Sequence, residues 1–160
     1  MELKKVGVEI PEGSNIILGQ THFIKTVEDL YEIIVTTVSQ ARFGIAFTEA
    51  SGPCLIRTAG NDNDLVQSCI DNVRDIGAGH VFCILLRNVY PINILNQIKN
   101  CPEVCMIYCA TANPLEVIVA RTEQGNGIMG VIDGFPPKGV ETDEDKTQRK
   151  NFLRKIGYKL

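Results

Sequence analysis

Apolar residues recur along the chain in two spacings, one typical of β-strands and the other of amphipathic helices. Alternating or continuous apolar runs predict strands at 3–10, 16–18, 43–47, 54–58, 80–87, 104–110, 115–122 and 128–132. Spacings of three and four residues predict helices that start near Thr26, Leu65 and Pro91, and a charged helix is predicted at about 143–157. This order predicts one α/β domain, α+β-like, over residues 1–160, with a mixed β-sheet flanked by about four helices.

Turn residues indicate how neighbouring strands connect. Polar residues at 11–15 separate the first two predicted strands, which favours a β-hairpin. The segment GNGIMG at 125–130 matches the G-x-G-x-x-G fingerprint of dinucleotide-binding proteins, but that fingerprint requires a helix after the glycines. Residues 128–132 have the pattern of a strand, so Asn126 and Gly127 are interpreted as a hairpin turn with positive φ.

Composition restricts the class of protein. The 160 residues are 44% hydrophobic and 22% charged, which excludes a disordered chain. The longest apolar run, 81–86, has six residues, whereas a membrane helix needs about 20. Residues 1–10 lack the pattern of a signal peptide, so a cytoplasmic location and no membrane partner are expected. The net charge of −3 argues against nucleic acid as a partner.

Charge is most concentrated near the C-terminus. Acidic residues at 141–145 precede a segment, 146–159, that holds six of the sixteen Lys and Arg residues. Acids at the start of a helix and bases at its end complement the helix dipole, which favours a surface helix with an Asp145–Arg149 pair. A docking patch is the alternative.

Most of the six cysteines are interpreted as small buried hydrophobic residues. Without a secretion signal, their even number does not imply disulfides. Cys101, Cys105 and Cys109 would align on a helix, but Pro102 and the strand pattern of 104–110 oppose a helix there. The sequence therefore gives little support to a zinc site built on this repeat.

Two polar loops flank the predicted strand at 54–58. The second loop runs from Gly60 through Asn61 and Asp62 to Asp64, where backbone N–H groups could hold an anion and the acids a magnesium ion. The same residues also suit a helix N-cap. The first loop holds Glu49, Ser51 and Gly52, and Arg57 follows as a cation able to pair with phosphate.

Further candidates lie beside other strands. His22 precedes Lys25 by three residues, and a lone histidine is more often a structural residue than a catalyst. Tyr90, Asn93 and Asn113 follow buried strands, where ligands of open α/β sheets usually bind, although all three positions also suit turns and caps.

Together these segments resemble the adenosine-specific kinase family, small proteins found mostly in archaea and some bacteria. The resemblance covers nearly the whole chain and rests on GQTHFIKTVEDLYE at 19–32, EASGP at 49–53, GND at 60–62, YPIN at 90–93, CATANP at 109–114 and GVIDG at 130–134. It implies a small α/β homo-oligomer, a trimer or hexamer, that binds adenosine and AMP and uses ATP with Mg²⁺. The chain departs from the family pattern at Arg121, where an acid is expected, and at Asn126, where an arginine is expected.

The resemblance favours phosphoryl transfer from ATP to adenosine, giving AMP. Phosphoryl transfer depends mainly on positioning and charge neutralisation. The hypothesis assigns Glu49 and Asp62 as base or metal ligand, with Asp64 as a further Mg²⁺ ligand. It assigns the other roles as follows: Arg57 and Lys25 neutralise phosphate, the loops containing Ser51, Gly52, Gly60 and Asn61 cradle it, and Asn113 and Tyr90 contact the nucleoside, with His22 and Asn93 nearby. The alternatives are a non-catalytic adenosine or AMP sensor and a structural oligomer.

Overall fold

The computed structural model describes residues Met1–Leu160, which form eight strands and four helices. The elements, in chain order, are β1 (Glu2–Val8), β2 (Asn15–Thr21), α1 (Thr26–Thr37), β3 (Arg42–Thr48), β4 (Ile56–Gly60), α2 (Asn63–Ile76), β5 (Val81–Arg87), α3 (Pro91–Lys99), β6 (Val104–Thr111), β7 (Leu115–Arg121), β8 (Asn126–Asp133) and α4 (Asp143–Lys155). The α+β class, the single domain and the four helices predicted from the sequence are confirmed.

The larger sheet has five strands in the order β4-β3-β5-β2-β6, and every neighbouring pair is antiparallel. Strand β5 lies at its centre, and residues Val81–Leu86 are at most 1% exposed. Alternate side chains of β5 point to two separate hydrophobic cores. This burial on both faces explains the unbroken apolar run in the sequence.

One face of the larger sheet is covered by α1 and α3, and the opposite face by α2 and a second sheet. The second sheet has three antiparallel strands in the order β1-β7-β8. The protein thus has two antiparallel sheets in place of the single mixed sheet expected from the sequence. The two sheets share one core, to which β7 contributes Leu115, Val117 and Val119.

The predicted hairpin between the first two strands is wrong. Strand β1 pairs with β7, with Val6 opposite Val117, whereas β2 lies in the other sheet between β5 and β6. Val6 and Val8 pack against the core shared by the two sheets. The alternating pattern identifies β1 as a strand, but the burial of these two valines selects a partner more than 100 residues away.

Helix α2 is fixed at both ends and along its length. The Asp62 carboxylate accepts a hydrogen bond from the Leu65 N–H at the start, and Gly77, with φ of 64°, ends the helix in the left-handed conformation. The helix packs directly on β3: a Cβ added at Gly44 would lie 2.2 Å from the Val66 nitrogen. A side chain at position 44 would therefore push α2 off the sheet.

Helix α4 buries none of its residues. Thr142 caps its first turn and shares hydrogen bonds with Asp145. Arg149 pairs with Glu141, at 2.9 Å, and not with Asp145 as the sequence predicted, because Asp145 is occupied by the cap. No helix in the structure is long and apolar enough to cross a membrane.

Candidate functional site

The candidate residues lie at opposite ends of the larger sheet. Strands β3 and β4 pair with Thr48 opposite Ile56 and Gly44 opposite Gly60. Glu49 thus lies at one end of these strands and Asp62 at the other, about 20 Å apart along the strand. The loop that contains Glu49 precedes β4 in the sequence and the loop that contains Asp62 follows it. The length of β4 therefore separates the two loops in space.

Glu49 is held rigidly by its neighbours. Its carboxylate accepts two hydrogen bonds from Arg57 Nη2, at 2.9 and 3.2 Å, and a third from the Leu55 N–H at 3.0 Å. The side chain is 11% exposed, against 34% for Arg57. Arg57 Nε is buried and has no hydrogen-bond partner.

Two cavities meet at Glu49. The smaller, ≈ 260 Å³, is lined by His22, Phe47, Ser51 and His80 among others. The larger, ≈ 570 Å³, lies within the range typical of small-molecule sites. We call the two together the Glu49 cleft. The cleft contains His22 and Ser51, which the sequence had proposed as binding residues. Arg57 lines neither cavity and adjoins the cleft only through its pair with Glu49.

The larger cavity lies at the seam between the two sheets. The loop around Glu49 and the residues between α2 and β5 form one side, and the β7–β8 hairpin forms the other. Its lining consists of Glu49, Ala50, Cys54, Gly77, Gly79, Ala120, Thr122, Gln124, Gly125, Asn126 and Gly127. Asn126 closes the seam through a hydrogen bond of 3.2 Å from its Nδ2 to the Ile76 carbonyl. The predicted β7–β8 hairpin is confirmed, but its turn is formed by 122–125, and Asn126 and Gly127 belong to β8.

His80 is a cleft residue that the sequence did not single out. Its backbone has φ of 57°, uncommon for a residue with a side chain. Hydrogen bonds from its N–H to the Thr48 carbonyl, 2.7 Å, and from the Thr21 N–H to its carbonyl, 3.0 Å, impose this conformation. The imidazole stacks on Phe47 with centroids 5.9 Å apart. In the sequence, His80 stands at the start of the strand predicted at 80–87. Nothing in the neighbouring residues indicates its left-handed backbone conformation.

Lys25 is engaged by two carboxylates beside His22. Its ammonium group contacts Asp29 and lies 3.7 Å from Glu103 Oε2. The hydrogen bond with Asp29 raises the pKa of Lys25, and the same bond lowers the pKa of Asp29. The Lys25 ammonium is therefore already engaged by two carboxylates. These contacts weaken the case for its predicted role in neutralising phosphate.

The Asn61–Asp62 turn has a structural role at the other end of the sheet. Asn61 accepts a hydrogen bond from the Phe43 N–H and donates one to the Ala41 carbonyl, both 2.9 Å. Gly60 is required because a Cβ there would lie 2.6 Å from the Phe43 carbonyl oxygen. Asp62 caps α2. The anion cradle predicted for this loop is thus occupied by the protein's own backbone.

Asp62 and Asp64 do not fit a magnesium site. The Asp62 carboxylate lies 3.7 Å from both Arg42 and Arg87. These two guanidinium groups neutralise the carboxylate and repel a second cation. Asp64 lies exposed in the first turn of α2, where it complements the helix dipole.

The three remaining candidates lie at this same end of the sheet. Asn93 Oδ1 accepts a hydrogen bond from the Tyr90 N–H, 2.9 Å, and thereby caps α3. Asn113 donates to Asp133 at 3.0 Å. Tyr90 also borders an apolar cavity of ≈ 530 Å³ together with Phe152 and Ile156 from the α4 region. None of the three contributes to the Glu49 cleft.

The structure defines a small α+β protein with a cleft beside the junction of its two sheets. A family model, Adenosine specific kinase, matches residues 6–159, and the chain therefore belongs to the adenosine-specific kinase family. The chain is also similar to the PH1918 protein from Pyrococcus horikoshii OT3, whose crystal structure superimposes with a TM-score of 0.95 at 48% identity. The match covers 99% of this chain and 98% of that one. A search of curated proteins found no match.

The two positions at which the sequence resemblance led us to expect other residues are neighbours. Arg121 and Asn126 face each other as cross-strand partners in the β7–β8 pairing. An acid and an arginine at these positions would form a charge pair, which this chain lacks. Asn126 donates a hydrogen bond to the Ile76 carbonyl at the end of α2 and borders the larger cavity.

Proposed function

We propose that the protein transfers the γ-phosphoryl group of ATP to the 5′-hydroxyl of adenosine in the Glu49 cleft. The observation that carries the proposal is the position of Glu49 on the boundary between two cavities. A carboxylate at that boundary is placed to contact groups bound on either side. Membership of the family supports a kinase that uses adenosine and ATP.

In this proposal the larger cavity holds adenosine and the smaller one the transferred phosphoryl group. The larger cavity offers backbone and amide groups along a glycine-rich wall, which suits the polar edges of a nucleoside. The smaller cavity contains two imidazoles, those of His22 and His80, and the Ser51 hydroxyl. Arg57 supplies the permanent positive charge beside it.

Glu49 accepts the proton of the 5′-hydroxyl as its oxygen attacks the γ-phosphorus and ADP leaves. Arg57 orients the carboxylate before reaction and neutralises the oxygens of the transferred group during it. We assign no residue of the cleft to magnesium. That ion is proposed to enter bound to the ATP phosphates, as is common for Mg²⁺.

The test is transfer of label from γ-labelled ATP to AMP in the presence of adenosine and magnesium. Glu49→Gln retains the shape of the side chain and is expected to lower the rate by about 100- to 10,000-fold. Asp62→Asn, at the other end of the sheet, is the matched control and should keep wild-type turnover. Full activity in Glu49→Gln, or loss confined to Asp62→Asn, would contradict the assignment.

A non-catalytic adenosine or AMP sensor is the second candidate. It is favoured by the three hydrogen bonds that already occupy the Glu49 carboxylate and by the engagement of Lys25 with two acids. Saturable AMP binding without any label transfer would support the sensor. An absence of a thermal shift with adenosine, AMP and ATP would leave only a structural role.

We also propose that the protein is a homo-oligomer, a trimer or hexamer, as the family resemblance implies. The three-stranded sheet exposes large apolar side chains on β8, with Met129 66% and Ile132 47% exposed, followed by Phe135 at 79%. A second copy packed there would cover these side chains.

A further inference from the structure

Three metal-ligating side chains converge between α1 and the start of β6. Asp29 lies on the first turn of α1, and Cys101 and Glu103 belong to the segment that joins α3 to β6. A carboxylate oxygen of each acid and the Cys101 sulfur all lie within 4.8 Å of one another. None of the three lines the Glu49 cleft.

Glu103 is the unusual member of this cluster. Its residue is 1% exposed, yet neither carboxylate oxygen has a hydrogen-bond partner. The nearest cation, the Lys25 ammonium, is 3.7 Å away and is in direct contact with Asp29. One lysine faces two carboxylates, so one negative charge is not neutralised. A buried charge of this kind is energetically costly unless a further cation or a proton neutralises it.

We propose that Asp29, Cys101 and Glu103 form a binding site for a divalent cation of the zinc type. One thiolate and two carboxylates are a donor set suited to Zn²⁺, which commonly takes three protein ligands and leaves a fourth position open. Zn²⁺ with ligands at its usual bond lengths needs donor atoms roughly 3.3–3.8 Å apart. The Lys25 ammonium, on a side chain that is 46% exposed, has to move away from Asp29 and Glu103 for the ion to bind. Closure of the cluster by about 1 Å then brings the donor atoms to this spacing.

An open cavity of ≈ 520 Å³ gives access to the cluster, since Asp29 and Cys101 both line it. The neighbouring thiols do not share the site. Cys105 is exposed on β6, and Cys109 belongs to the core on the other side of the sheet. The site thus depends on the tertiary position of Cys101, not on the four-residue cysteine repeat.

A cation here would tie α1 to the start of β6 next to the Glu49 cleft. The Glu103 carbonyl accepts a hydrogen bond of 3.1 Å from the N–H of His22. The metal would therefore fix the backbone that carries His22, while it contacts no part of the cleft itself. This is a structural role, and it does not depend on which reaction the cleft performs.

The experiment titrates metal-free protein with Zn²⁺ by calorimetry and with Co²⁺ by absorption, where a thiolate–cobalt charge-transfer band reports the sulfur ligand. One ion per chain is expected, with a melting temperature about 5–10 °C higher at a hundredfold excess over Kd. Cys101→Ser and Glu103→Gln should each weaken binding by at least about 100-fold. Cys105→Ser, on the adjoining strand β6, is the matched control and should bind like wild type, because the Cys105 thiol contacts only the backbone carbonyl of Glu103.

Absence of binding to the wild-type protein, or binding that survives both Cys101→Ser and Glu103→Gln, would overturn the proposal. Circular dichroism shows whether each variant folds. If either ligand variant does not fold, the Cys54→Ser/Cys105→Ser double variant decides, because it removes both exposed thiols and keeps Cys101. The charge-transfer band must persist in that variant, and its loss would refute the site.

Discussion

At the scale of single residues, the same amino-acid type takes different roles according to which end of a strand it occupies. Glu49 and Asp62 were equivalent candidates in the sequence, since each lies in a polar loop next to β4. The structure pairs Glu49 with one arginine beside two cavities and uses Asp62 to begin a helix between two arginines. Only tertiary structure distinguishes a carboxylate facing a cleft from one that caps a helix.

The cysteines give a prediction at this scale. Burial raises the pKa of Cys101 and Cys109 to about 12, and Cys69 and Cys83 are fully buried. Because the thiolate is the reactive form, these four should resist alkylation at neutral pH in the metal-free protein. The exposed residues, Cys54 and Cys105, should react.

Iodoacetamide labelling followed by peptide mass spectrometry measures this directly. Two labelled thiols per folded chain and six after denaturation are expected. Rapid labelling of Cys69 or Cys83 in the folded state would show that the core opens readily. Four of the six cysteines are buried, which agrees with the interpretation of most of them as buried hydrophobic residues.

At the residue scale, sequence reasoning succeeded where the signal is local. Gly77 ends α2, and Pro91 begins α3, as their backbone preferences predict. His80 and Glu103 were missed for the opposite reason. The conformation of His80 is set by hydrogen bonds to β2 and β3, and the isolation of Glu103 depends on α1, so neither has a signature in neighbouring residues.

At the scale of elements, α2 packs tightly on β3 at Gly44. Gly44→Ala places a methyl group 2.2 Å from the Val66 nitrogen and 2.3 Å from the Leu65 carbonyl carbon, both backbone atoms that cannot move independently. The variant is expected to lose about 3 kcal/mol or more of unfolding free energy.

Urea denaturation checks this value. Gly7→Ala in β1 is the control, because nothing lies within 4 Å of the added Cβ. It should remain within about 0.5 kcal/mol of wild type. Equal stability of the two variants would mean that α2 can shift on the sheet at little cost.

Element identity was largely predictable, and element pairing was not. The helix predicted at about 143–157 is observed at Asp143–Lys155, because its charge order and cap are local features. Hydrophobic alternation identified β1 and β2 as strands, but it carries no information about partners. The pairing of β1 with β7 is decided by which faces can be buried together.

At the scale of the whole molecule, the oligomer gives the main prediction. Light scattering with size exclusion should give three or six times the 17.6 kDa of one chain. Phe135→Ser, next to the three-stranded sheet, should weaken assembly. Ile92→Ser, which changes an equally exposed side chain on α3, should not. A monomeric mass for the wild type, or dissociation only in Ile92→Ser, would contradict the proposed interface.

The division of the strands into two sheets also could not be predicted from the sequence pattern. The chain order of strands and helices suggested one mixed sheet, yet the connection from β6 to β7 passes the chain into a second sheet. The short segment 112–114 that makes this connection resembles any other turn in the sequence. The larger cavity of the Glu49 cleft exists because the two sheets meet. The β7–β8 hairpin was predicted, but its position as a wall of this cavity was not.

The seam near Asn126 has a consequence for motion. One isolated bridge, Ala78 to Asn126, and the Asn126–Ile76 hydrogen bond join the β8 end of the hairpin to the end of α2. A ligand in the larger cavity would touch both sides and add to these few links. By thermodynamic linkage, the factor by which the ligand favours the closed seam equals the factor by which closing the seam raises the affinity for the ligand. Amide hydrogen exchange at the hairpin should accordingly slow when the cavity is filled, so the seam itself reports occupancy.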